Sequence, residues 1–221
     1  MTAIYIIITV ACGLILLPLC WASSVIAYTL VFASKWHAAS FFSGVICAGI
    51  LSVFRGYGSR AYIILHEMNH AFWCLLVGIP IKKIVVTAKG GYIDAEREHL
   101  LVALAPYFFP LPMLLLLFAH SIIVLFGVWH RPVVYIEYCF TGLLIARHVI
   151  DSVNAIMDGQ IEINRFGLFF SLSCIYSLLF LWSGLFLSIF LADFYLADFI
   201  VMSYKQITLV YHNFFHYICL P

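Results

Sequence analysis

The sequence predicts an all-α polytopic membrane protein, about six transmembrane helices in a single integral membrane domain over 1–221, with one small β-hairpin near 81–95. Three observations predict it. Apolar residues make up 65% of the chain and charged residues only 10%, against about 45–50% and 25% in soluble domains. Apolar runs of roughly twenty residues, the length needed to cross a bilayer, recur along the chain. One short β-branched stretch breaks the pattern. With 11 Lys+Arg and 10 Asp+Glu the charge is +1, too little to wet a soluble surface of this size or to attract a polyanion. A nucleic-acid partner is therefore excluded, and the expected surroundings are the lipid bilayer.

The elements follow in order. Ala3–Ala33 reads as a first span: Lys35 is the first basic residue, so the positive start of a signal peptide is missing. Phe41–Phe54 is short and reads as a shallow or re-entrant helix. Ala61–Gly78 is the next span, on a helix expected over about 60–79. In Ile81–Ala88 the β-branched residues, then the turn chemistry of Lys89-Gly90-Gly91 and an extended Tyr92–Ala95, predict a β-hairpin. Leu100–Val128 follows, carrying Pro106, Pro110 and Pro112, which free backbone carbonyls and open or kink the helix. A helix over about 133–158 and a span over Gly167–Leu191 come next. Phe199–Leu220 is weaker, with aromatics and histidines suited to an interface. The seven cysteines are scattered singly without a Cys-x-x-Cys pair and read as small hydrophobes.

Within the Ala61–Gly78 span lies His66-Glu67-Met68-Asn69-His70. Residues four apart on a helix stand one turn above each other, so His66 and His70 can reach one metal ion. Glu67 projects beside that face, where it can take a proton from water activated by the metal. Zinc suits two neutral imidazoles with a position left for water. Random ordering of nine His and five Glu among 221 residues yields this pattern only about 1% of the time. Ionisable groups at this depth in an apolar helix are costly enough to point to function.

A catalytic zinc normally has three protein ligands. The helix over about 133–158 offers His148, Asp151 and Asp158 on one face, with Glu162 beyond it. His148 is the deepest and the first choice; Asp151 could instead orient it. Asp158 or Glu162 qualifies only if the helix ends early and the chain folds back. His120, inside the Leu100–Val128 span, is a minor candidate.

A His-Glu-x-x-His motif inside an apolar span, followed by a hairpin and a proline-bearing span, resembles the site-2-protease (M50) family of intramembrane zinc metallopeptidases over roughly 60–170. The stretch from His148 through Gln160-Ile161-Glu162 to Ser171 is similar to small bacterial members. The resemblance implies Zn2+ on His66 and His70, Glu67 as the catalytic glutamate, and a membrane protein or membrane-anchored peptide as substrate. Family members draw the third ligand from an Asp-Gly motif after an Asn-x-x-Pro run. Here Asn154 and Asp158-Gly159 stand closer together with no proline between them, which leaves His148, Asp151, Asp158 and Glu162 all open. The hairpin's free edge can pair with an extended substrate. Two other readings share parts of the pattern: a non-proteolytic metal-binding transporter or sensor, and an inactive protease-like scaffold.

Overall fold

The computed structural model describes residues 34–54, 59–87, 90–128, 130–190 and 196–219, with residues 18, 21–22, 24–29 and 31–32 before them. The expected span Ala3–Ala33 lies largely outside the described residues. The rest is helical apart from one two-stranded antiparallel sheet. In chain order the elements are α1 (Lys35–Phe54), α2 (Arg60–Leu76), β1 (Ile81–Thr87), β2 (Gly90–Ala95), α3 (Leu100–Phe108), α4 (Pro112–Leu125), α5 (Arg131–Met157), α6 (Ile161–Arg165), α7 (Leu168–Phe190) and α8 (Leu196–Cys219).

Three described helical segments are long and apolar enough to cross a membrane: Lys35–Phe54, Arg131–Met157 and Leu168–Phe186. The pair α3 and α4, bent by 69° at the proline-rich break, makes a fourth if it is one broken span. The described residues thus show three or four of the expected six spans. The motif helix α2 has only 17 residues and carries Arg60, Glu67, Asn69 and two histidines. α1 is also longer than the shallow helix expected at Phe41–Phe54, because Lys35–Ser40 continue it.

Local chemistry sets the boundaries of α2. Ser59 caps it, its hydroxyl accepting from the Tyr62 amide. Gly78, at φ 66°, closes its far end while the Ile79 amide returns to the Cys74 carbonyl at 2.8 Å. That is the reversal a glycine permits after a helix. Pro80 then leads into the hairpin, whose register places Ile84 opposite Ile93 and Val86 opposite Gly91.

Two packings hold the helices together. α1 and α5 cross with their backbones in contact: a Cβ on Gly44 would run into the Cys139 carbonyl, and one on Gly142 into the Phe41 carbonyl. Small residues permit such close approach where no water is present to drive helices together. Trp73 of α2, Phe108 and Phe109 at the break, and Trp182 and Phe186 of α7 form an aromatic cluster with ring centroids 4.8–6.3 Å apart. Edge-on pairs dominate it, the arrangement that ring quadrupoles favour. The cluster anchors α2 beside the break in α3–α4, and that placement builds the site.

Candidate functional site

The motif residues of α2 meet as their spacing predicts. His66 and His70 bring their Nε2 atoms within 3.2 Å of each other, with ring centroids 4.9 Å apart. The outer nitrogen of each ring is engaged. His70 Nδ1 donates to the Val102 carbonyl of α3 at 2.7 Å. Because a carbonyl only accepts, Nδ1 carries the proton and the neutral ring keeps its lone pair on Nε2. His66 Nδ1 lies 3.3 Å from the Tyr62 hydroxyl, one turn earlier. Glu67 is buried, and its Oε2 has no hydrogen-bond partner.

The hairpin covers Glu67. A Cβ placed on Gly91 would lie 2.6 Å from Glu67 Cγ and 2.9 Å from its Oε1. Only the missing side chain lets β2 come this close, so the sheet lies directly against the carboxylate.

A cavity of about 120 Å³ opens beside His66, between α2, the α3–α4 break and α5. Tyr62, Asn69, Arg147, His148 and Asp151 contribute its polar lining. Asn69 donates from Nδ2 to the Phe109 carbonyl at 2.7 Å, and its buried Oδ1 has no partner. His148 is hydrogen bonded to the Tyr107 carbonyl, leaving Nε2 buried and unpartnered. Ser152 donates to the same carbonyl at 2.9 Å.

The four candidates for a third ligand separate. His148 lines the cavity that His66 lines. Asp151 accepts at Oδ2 from Arg147 Nε at 2.9 Å, with Oδ1 2.7 Å from Nη2 of the same guanidinium, and Arg147 also donates to Ser52 of α1. Asp158 caps α5 and is exposed. For Glu162, α5 ends at Met157, where the sequence placed its end, Gly159 turns at φ 67°, and the short helix α6 follows. Glu162 accepts from the Tyr107 hydroxyl at 3.3 Å and stands close enough to Glu67 and His70 to act on both electrostatically. The Tyr107 ring meets His66 edge-on at 5.5 Å. His120 is placed elsewhere, paired with Glu137 of α5 at 3.2 Å.

The Nε2 atoms of the imidazole pair, within hydrogen-bond distance of each other, are also spaced as two zinc ligands would be. Two nitrogens each 2.0–2.1 Å from a tetrahedral centre stand about 3.3 Å apart, and the Nε2 pair stands at 3.2 Å. The pair thus fits zinc as two of its ligands. Among the described residues no group of three His, Cys, Asp or Glu is arranged to hold a metal ion.

Reasoning from the sequence passes over Asn69, Gly91, Tyr62 and Tyr107. Asn69 and Tyr62 carry a visible signal, since both share a helical face with a motif histidine. The role of Gly91 depends on where the hairpin lands, which its spacing does not reveal. No protein-family model, curated protein or solved structure matches this chain.

Proposed function

We propose that this chain is an integral, multi-pass membrane zinc metallopeptidase of the site-2-protease (M50) kind, hydrolysing peptide bonds of membrane proteins or membrane-anchored peptides. One observation carries the reading: a converging imidazole pair, with each Nδ1 engaged, beside a buried carboxylate that lacks a partner and lies under a β-strand. The apolar outer surfaces support placement in a bilayer; Val53, Phe54, Phe118 and Leu125 are all exposed. Apolar surface on this scale marks a lipid or protein contact.

In this reading His66 and His70 hold zinc, and the third donor comes from His148, which lines the cavity beside His66, or from Glu162, which accepts from the Tyr107 hydroxyl. A zinc ion bound there supplies a Lewis acid that polarises the scissile carbonyl and acidifies water. Glu67 takes the proton from water and returns it to the leaving nitrogen. Its neighbours suit it to this proton transfer, since the hairpin shields it from bulk solvent and its free Oε2 is available to receive the proton. A substrate helix must unwind to expose a carbonyl, and the outer edge of the sheet can hold the unwound segment by strand addition.

The test is cleavage of a membrane-anchored model peptide by the purified chain in lipid with zinc, set against Glu67→Gln. The expected outcome is a loss of about 10²-fold or more, with zinc binding retained. Equal cleavage by both proteins removes Glu67 from the chemistry. Zinc binding with no cleavage by either favours a metal-binding membrane protein without proteolysis.

A further inference from the structure

In an α-helix the carbonyl of residue 102 accepts from the amide of residue 106. Residue 106 is proline, inside α3, and has no N–H to give. The Val102 carbonyl is thereby withdrawn from the helical ladder, and it is the atom to which His70 Nδ1 donates at 2.7 Å. Two other carbonyls at the break also take side-chain donors: Phe109 from Asn69, beside the Leu111 amide, and Tyr107 from Ser152.

We infer that Pro106 is a positioning residue for the metal pair: by withholding an amide from the Val102 carbonyl, it reserves that oxygen for His70 Nδ1 and so holds His70 Nε2 as a lone-pair donor turned toward His66. The inference rests on the reading of His66 and His70 as zinc ligands. Partners that fix the tautomer and orientation of a ligating histidine govern metal affinity by about 10–100-fold. An N–H at position 106 competes for the oxygen and draws the carbonyl back into line with the helix axis.

The experiment measures zinc affinity by chelator competition, and the cobalt(II) absorption spectrum, on the full chain in detergent. Pro106→Ala restores the N–H; Pro106→lactate, introduced as an α-hydroxy acid, has the alanine side chain and no N–H. Zinc affinity at least about tenfold weaker in Pro106→Ala, recovered in Pro106→lactate, supports the inference. Equal affinity in the parent and Pro106→Ala overturns it while leaving the metal pair intact. A parent that binds no zinc overturns it together with the proposed function. Ala103→lactate keeps Pro106 but turns the Val102 carbonyl into an ester, a weaker acceptor, and decides the matter if the position-106 variants do not fold. Unchanged affinity overturns the inference, and a loss supports it only when Leu100→lactate, which removes a neighbouring helix N–H but keeps the Val102 amide, leaves affinity unchanged.

Discussion

Gly91→Ala is the sharpest perturbation of the site, because it touches Glu67 without altering any residue assigned to the metal. The added methyl would sit 2.6 Å from Glu67 Cγ, 2.9 Å from Oε1 and 2.8 Å from the Val85 carbonyl, where ordinary contact begins at 3.4 Å. The Val85 oxygen belongs to the paired strand, so relief takes a small shift of the hairpin as well as a movement of Glu67. Restoring contact moves its Cγ by about 0.8 Å relative to the strand, and a displacement near 1 Å in a catalytic group costs about 10²-fold in rate. The assay is kcat on a membrane-anchored peptide together with zinc affinity: kcat falls about 10²-fold while affinity stays unchanged. Gly49→Ala is the control, since a Cβ there meets nothing within 4 Å. Undiminished kcat in Gly91→Ala would show that the strand does not fix the carboxylate, and the hairpin would lose its place as the roof over Glu67.

The remaining predictions concern stability. Gly142→Leu forces apart backbones that touch at the Phe41 carbonyl and destabilises by at least about 1–3 kcal/mol, the range for overpacking. It is read as a lowered unfolding temperature in detergent, and an unchanged temperature refutes the close crossing of α1 and α5. His120→Leu leaves Glu137, 2% exposed, without its partner across α4 and α5 and costs about 1–3 kcal/mol, the penalty of a buried polar group left unpaired. The double change His120→Leu with Glu137→Leu recovers most of that loss, because replacing both partners of a buried hydrogen bond by apolar groups of similar shape is close to neutral. A double variant no more stable than the single one contradicts the pairing.

Periodicity and the β-branched run make α2, α5, α7 and the hairpin legible, since these depend on local pattern alone. The count of spans is not legible in this way. Apolar content near 100–128 cannot distinguish a straight crossing from two helices meeting at 69°, because three prolines permit either outcome. In the site, the His66–Glu67–His70 face follows from helical spacing. The third position does not, because it turns on how the chain reverses after Met157. Gly159 announces a reversal but not its direction, and α6 brings Glu162 to the Tyr107 hydroxyl of α3 while Asp158 is exposed. Asp151 is a similar case: its position on α5 is readable, but its capture by Arg147 one turn earlier competes with any role at the metal. The prolines signal a kink or an opening. Their effect on His70 becomes visible only when the Val102 carbonyl is traced to its donor.

The crossing of α1 over α5 has a mechanical consequence. Main chains in direct contact at two glycines, and tied again from Arg147 to Ser52, leave no lubricating layer of side chains between them, so the two rods travel as one strut. The wall bearing His148 and Arg147 cannot swing outward without dragging the whole pair. Whatever widens the chamber must therefore come from the opposite flank, where α2 and the broken helix meet through rings and amides that can shift by rotamer.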